Sequence, residues 1–435
     1  MPHLQIIEAD WTWTGDHFEN HIQLEVGTDG FIHRRGCLGL EPTLRLSHKA
    51  LLPGFVNCHS HAFQRGLRGR GERFPAAAGS FWSWREAMYD LVSRTEAESL
   101  YRLSLQAFQE MLAAGITTVG EFHYLHHDST CGGYSLDETV LQAARDAGIR
   151  LVLLSTYYQT GGIHTALRGA QRRFGSPSVR AYLRQLDPLG AKLDLRTQSL
   201  GMAAHSIRGA DREDIVSLHQ ESRRRRMVFH MHVEEQPQEI EACVKAYGAT
   251  PMALLNQSLE MDRLFTAVHC THTDPGDMEM FAATGGNVCV CPITEANLGD
   301  GMADLQGMRR SGARVCVGTD SNSRICMTEE LRWLEYVQRL KGEKRGCLLD
   351  ASGDLGKALL EIATVNGARS LALRAGKVEP GCLADLVAID LETSSMAGWT
   401  PSTLLATFLL GTGNGAVSEV CVGGRWSQVS PCSPG

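Results

Sequence analysis

The feature that most limits how this chain can fold is a repeated alternation: a short apolar run, a polar residue at its end, then a stretch with helical spacing. Such runs occupy 54–58 (GFVNC), 116–122 (ITTVGEF), 149–155 (IRLVLLS), 198–204 (QSLGMAA), 227–233 (MVFHMHV), 264–270 (LFTAVHC), 286–291 (GNVCVC) and 314–319 (RVCVGT). Between them, 97–114, 136–147, 211–226, 236–247 and 328–341 repeat apolar residues every three or four positions, which gives a helix one apolar face. Buried strands that alternate with helices in this way predict an α/β fold, a closed (β/α)8 TIM-like barrel. An open doubly wound sheet is the competing topology, but no GxGxxG or phosphate-binding loop follows any run. The chain ends read differently: 21–26, 44–52, 384–390 and 418–422 look like short strands with glycine turns. They predict a small β-sandwich made from both termini, which divides the chain at 1–53, 54–375 for the barrel, and 376–435. The tail from Gln428 is expected to fray.

Composition narrows the function. Of the 435 residues 43% are hydrophobic and 21% charged, and the formal net charge is −7. Such a surface repels a phosphate backbone, so no nucleic-acid partner is expected. No window holds the roughly 18 uninterrupted apolar residues of a membrane helix, and the N-terminus lacks a basic start followed by an apolar run. A cytoplasmic protein with no membrane contact is therefore expected. The 13 cysteines are scattered without CxxC spacing, and Cys289, Cys291 and Cys316 fall inside apolar runs. They read as reduced core thiols.

A barrel of this kind assembles its active site at the carboxyl ends of its strands, and polar residues gather at those points. The first run ends in His59 and His61, the second in His123 and Tyr124, and the fourth in His205. The fifth carries His230 and His232 with Glu235 just beyond, the sixth ends in His269 and the eighth in Asp320. In an extended chain His-x-His puts both imidazoles on one face, suited to a single metal. His230 and His232 repeat the pattern, but only one reaches the top layer; His232, nearer the strand end, is the expected ligand and His230 a packed residue. An Asp that ends a buried apolar run is costly without a compensating cation, so Asp320 completes the set His59, His61, His232 and Asp320. Three imidazoles, a carboxylate and room for water describe an open catalytic Zn²⁺ site, one metal per chain, with Fe²⁺ or Mn²⁺ compatible with the same ligands. The metal would lower a water's pKa from ~15.7 toward ~7. Glu235 would then relay that proton to a leaving group; the plain competitor is a solvated residue in VEEQ.

These residues carry a resemblance. PGFVNCHSH, the HxxE after the fifth run, the sixth-run histidine, the eighth-run aspartate and GKVEPGCLADLVAIDL resemble the amidohydrolase superfamily. The fourth run supplies no lysine of the kind that bridges two metals, so the site resembles the mononuclear deaminase branch, with His269 as a further catalytic, polarising residue beside Glu235 and Asp320. HSHAFQRGLRG, SFWSWREAMY, VGEFHYLHHD, AAHSIR, CPITEANLGDG and EELRWLEYVQRL are together similar to the formimidoylglutamate deiminase family, over nearly the whole chain. That resemblance implies hydrolysis of a small molecule, N-formimidoyl-L-glutamate, to N-formyl-L-glutamate and ammonia in histidine degradation. It also implies substrate-binding roles for Gln64, Arg85, Tyr124, His205 and Arg208.

The substrate's chemistry agrees. It carries two carboxylates and an amidine, and Arg85 and Arg208 could each take a carboxylate through a bidentate pair. Pairing of Arg85 with Glu86, or Tyr124 as a core aromatic, are the plain competitors. The expected assembly is a homodimer. One departure bears on substrate identity: where the family carries something like DSHVSL, this chain has DSNSRICM. In that loop, 321–327, Asn322 replaces a histidine and Arg324 adds a charge expected near the site's mouth. Trp82 and Trp84 are expected to pack a substrate-side loop, His126-His127-Asp128 to be loop, and Arg223–Arg226 to be a solvated helix end. Two other readings stay open: a deaminase of cyclic amidines or nucleobases, which needs no pair of carboxylate-binding arginines, and a non-catalytic binding barrel. Ammonia release from a substrate panel separates the first, and metal content the second.

Overall fold

The computed structural model describes residues 4–72, 79 and 81–429. Eight parallel strands form one sheet in chain order: β1 (Phe55–Ser60), β2 (Ile116–His123), β3 (Arg150–Tyr157), β4 (Gln198–Ala204), β5 (Phe229–Val233), β6 (Phe265–His269), β7 (Asn287–Val290) and β8 (Arg314–Val317). The sheet closes on itself where Ser60 bridges Asp320 and the Asp320 N–H donates to the His59 carbonyl at 3.0 Å. The TIM-like barrel expected from the sequence is the fold. Its strands are buried on both faces, which is why they read as unbroken apolar runs and not as alternation. Gly318 permits the closure, because a Cβ there would lie 2.7 Å from the His59 carbonyl oxygen.

The expected helices appear as α2 (Ala97–Ala113), α3 (Asp137–Ala147), α5 (Arg212–Arg225), α6 (Pro237–Tyr247) and Met327–Gly342. Two others matter for the site: α1 (Phe81–Arg94) and α4 (Val179–Gly190). α1 corrects the expectation of a loop around Trp82 and Trp84. Its buried residues Phe81, Met88, Leu91 and Val92 follow helical spacing, a stripe masked in the sequence by the surrounding aromatics. Arg223–Arg226 lies at the end of α5, where Arg224 and Arg225 pair with Glu221.

The chain ends build a second sheet in the order Arg425–Gln428, Val417–Val422, Leu386–Asp390, Leu44–Pro53, Gln5–Trp13, Gln23–Val26, Ile32–Gly36. Its pairing is antiparallel except where Gln5–Trp13 runs parallel to Leu44–Pro53. Alternating residues serve two cores, as the period of two demands. Leu51, Leu386, Ala388 and Cys421 fill a small core within this layer. Their neighbours Ala50, Leu52, Val387, Ile389, Val420 and Val422 join the barrel core. A buried bidentate pair adds a polar tie: Arg150 on β3 reaches Asp385 at 2.5 and 3.0 Å.

Candidate active site

His59, His61, His232 and Asp320 converge at the carboxyl end of the barrel, all buried, with their ligating atoms within 4.8 Å of one another. His59 Nε2 lies 3.2 Å from His61 Nε2 and 3.0 Å from His232 Nε2. Asp320 Oδ1 is 3.4 Å from His59 Nε2 and 3.2 Å from His61 Nε2. Two of the rings are oriented from behind: His61 Nδ1 donates to the Phe122 carbonyl at 2.8 Å, and His232 Nδ1 to the His205 carbonyl at 2.9 Å. With the proton on Nδ1, each Nε2 turns a lone pair inward. The His61 lone pair then faces a carboxylate oxygen of Asp320 at 3.2 Å, a repulsion that a cation between them removes. The donor set therefore fits one divalent metal.

Electrostatics agree with that arrangement. Burial pushes the His59 imidazolium down to about 3, and lowers His232 well below the usual range, so both rings are neutral donors. Burial alone would raise Asp320, but its contacts with His59 and His61 outweigh that and hold it ionised.

One cavity opens onto this group. His61, His232, Asp320 and Glu235 line it together with Gln64, Arg85, Tyr124, His205 and Arg208. Gln64 Nε2 donates to Tyr124 Oη at 2.7 Å. Arg85 projects from α1, its guanidinium 4.2 Å from the Trp82 ring centre, and no described carboxylate pairs with it. Arg208 lies beyond β4 and donates to Glu235 Oε2 at 2.8 Å. His205 is kept neutral by burial and by Arg208 beside it.

His269 does not line the cavity. It is buried behind it, with Nδ1 3.1 Å from Glu295 Oε1 and Nε2 3.8 Å from Glu235 and 3.9 Å from Asp320. Burial opposes its charge, yet Glu235, Glu295 and Asp320 lift it to about 10. His230 packs below, against the Ser370 carbonyl at 3.2 Å. Glu234, His269, Asp320 and Asn322 all adopt positive φ, between 46° and 72°. Backbone strain of about 1–3 kcal/mol per residue is thus held at strand ends that build the site, as it is at several loop positions elsewhere.

Several expectations need correction. His123 ends β2 but turns away from the cavity, donating from Nε2 to Asp137 at 3.1 Å. His126 is in a loop, as expected, and is wholly buried, bound to Asp137 Oδ1 at 2.8 Å and to the Thr156 carbonyl at 2.7 Å. Arg324 is not at the mouth of the cavity: it pairs with Glu329 and lines a separate hollow with Arg65 and Arg68. Asn322 is buried and braces the barrel closure, accepting from Thr319 at 2.6 Å and donating to Ser60 at 3.0 Å. Tyr89, Tyr158 and Glu239 also belong to this region and carry no expectation from the sequence. Tyr158 lines the cavity just after β3, so the strand-end rule could have found it. Tyr89, a helical turn after Arg85 on α1, needed that helix to be recognised first.

The amidohydrolase family model matches residues 50–427. The chain is 36% identical to the formimidoylglutamate deiminase of Pseudomonas aeruginosa across 97% of this chain and 94% of that one. It is 26% identical to a 5-methylthioadenosine/S-adenosylhomocysteine deaminase of Haloarcula marismortui, across 86% and 80%. Among solved structures, an amidohydrolase from Brucella melitensis superposes with a TM-score of 0.88 at 31% identity, over 97% of this chain and 94% of that one. An adenosine deaminase from Xanthomonas campestris with bound zinc shares the fold, at 22% identity and a TM-score of 0.82 over 98% and 92%. Barrel and sequence agree: the chain belongs to the amidohydrolase family.

Proposed function

We propose that this protein hydrolyses N-formimidoyl-L-glutamate to N-formyl-L-glutamate and ammonia, with one zinc ion held by His59, His61, His232 and Asp320. The observation that carries the reading is the pairing of two arginines, Arg85 and Arg208, with that buried group in one cavity. A dicarboxylate amidine needs two such cations, and a nucleobase needs neither. The likeness to the Pseudomonas aeruginosa deiminase supports the same substrate, and on that ground the reaction serves histidine degradation in the cytoplasm. The zinc assignment draws on the donor set and on the zinc in the Xanthomonas campestris structure.

A divalent cation there supplies Lewis acidity that activates water near neutral pH. Everything else is done by side chains. Arg85 and Arg208 bind the two carboxylates and point the amidine carbon toward the metal-binding group, which supplies much of the catalytic gain by orientation. Gln64, Tyr124 and His205 add neutral hydrogen bonds. Glu235 takes a proton on a carboxylate oxygen and returns it to the amidine nitrogen that leaves as ammonia. His269, steadied by Glu295 at Nδ1, holds an Nε2 proton toward Asp320 and Glu235 and stabilises negative charge that develops between them.

The test is ammonia release from purified, zinc-loaded protein offered N-formimidoyl-L-glutamate, guanine, cytosine and adenosine. Turnover of the linear amidine with N-formyl-L-glutamate as co-product supports the reading. Turnover of a nucleobase in its place overturns it.

A further inference from the structure

Glu239 sits in the first turn of α6, and its side chain is wholly buried. Its Oε2 is 3.3 Å from Arg208 Nε, and neither of its carboxylate oxygens has a hydrogen-bond donor among the described residues. Burying a carboxylate without donors is costly. Arg208 is the one described cation that forms an ion pair with it, so the carboxylate is there for the guanidinium. Arg208 and Glu235 line the cavity and Glu239 does not; any influence on the substrate passes through Arg208. Burial pushes its carboxyl up to about 7, and Arg208 is the strongest influence holding it down.

A guanidinium binds a carboxylate most firmly when two of its N–H groups act together. In this protein Arg208 gives only NH2 to Glu235, while Glu239 stands 3.3 Å from Nε in an ion-pair contact without a hydrogen bond. If Glu239 were neutral, Glu235 could take Nε together with NH2, and guanidinium and proton carrier would be locked to each other. We propose that Glu239 is a positioning residue: it holds the Nε edge of Arg208 so that the outer edge can pass from Glu235 to a substrate carboxylate. The proposal rests on the carboxylate-binding role given to Arg208 above.

The test is a double-mutant cycle on the zinc-loaded full chain with Glu239→Gln, Arg208→Met and the two combined. For each protein kcat and KM on N-formimidoyl-L-glutamate, the dissociation constant of N-formyl-L-glutamate and the metal content are measured. E239Q is expected to lower kcat/KM by about 10–100-fold, by analogy with residues that brace a metal ligand from behind. KM should rise, product binding should weaken and metal content should stay unchanged. In the R208M background the same substitution should change kcat/KM by less than about twofold, since the group it orients is gone. If E239Q cannot be purified, Glu239→Asp, which keeps the charge and shortens its reach, carries the same cycle. Equal losses in both backgrounds, or E239Q indistinguishable from the unmodified protein, overturn the proposal. R208M that works as well as the unmodified protein overturns the carboxylate-binding role beneath it as well.

Discussion

Two buried clusters of histidine and aspartate stand close together in this barrel, and they solve the same problem in opposite ways. In one, His59, His61, His232 and Asp320 direct their Nε2 and carboxylate atoms at one another. In the other, His123 through Nε2 and His126 through Nδ1 both meet Asp137, whose second oxygen accepts from Gln185 on α4. The second cluster satisfies itself. His126 has acceptors at both ring nitrogens, Asp137 and the Thr156 carbonyl, so both carry protons and the ring is an imidazolium paired with a carboxylate. Burial opposes that charge and Asp137 outweighs it, raising His126. Burial would likewise raise Asp137, yet the two histidines hold it down at about 2. Residue type and burial are alike in both clusters. What separates a metal site from an internal ion pair is where the protons of the rings point, outward to backbone carbonyls or inward to a carboxylate.

The comparison can be broken most severely at His232. His232→Ala should lose the metal and all measurable deiminase activity together, as read by elemental analysis and ammonia release. Activity that survives without metal would put the chemistry elsewhere. Next in size is Glu235→Gln, which should keep the metal while the rate falls by about 10²–10⁴-fold. Near-normal turnover in that variant would remove Glu235 as proton carrier.

Arg85 and Arg208 come third. Met in place of either should cost about 2–5 kcal/mol in kcat/KM, and Lys at Arg85 less, because charge is kept while the planar fork is lost. On N-formimidoyl-4-aminobutyrate, which lacks one carboxylate, one of the two arginines should become nearly indifferent to substitution. If both Met variants are harmless on the full substrate, the dicarboxylate reading falls.

The smallest effect on turnover is expected at the self-satisfied cluster. Asp137→Asn should leave metal content and kcat/KM within a few-fold, yet destabilise the fold by about 3–5 kcal/mol, since it strands the buried His126 charge. The pH dependence follows from the two shifts. The folded-state value of Asp137 is depressed to about 2, so its contribution is full above the unfolded value near ~3.9 and is lost as pH falls toward 2. His126 is raised, so its contribution is full below ~6.5 and is lost as pH climbs through the higher folded value. Denaturant melts of D137N and the unmodified protein across pH 3–9 should draw closer toward both extremes, without meeting at pH 3, which is still above the folded value of Asp137. Parallel curves across the range would show that Asp137 does not titrate with folding.

How far the sequence revealed these features depended on which element carried them. Strand-borne residues were legible: a histidine or aspartate that ends an apolar run must sit at the rim of the barrel, and period two puts His59 and His61 on one face. The same logic failed at His123, where the strand end turns outward to α3, because the partner Asp137 lies 14 residues away in the first turn of that helix, where an acid is ordinary. Helix-borne parts of the site were harder to read. α1 looks like a loop because its aromatics blur the apolar stripe, and only the family resemblance singles out Arg85 within it. Glu239 gave no local signal at all: an acid in the first turn of a helix is ordinary, and only its burial beside Arg208 marks it. The strand Gln5–Trp13 went unread because its buried positions serve two cores and leave no clean alternation.

The most direct test of the contrast between the clusters is metal stoichiometry. The unmodified protein, H232A and D137N are loaded with zinc, dialysed and measured by elemental analysis on folded, monodisperse samples. The predicted result is one zinc per chain in the unmodified protein, none in H232A and one in D137N. Two per chain in the unmodified protein, or one that persists in H232A and disappears in D137N, would contradict the account.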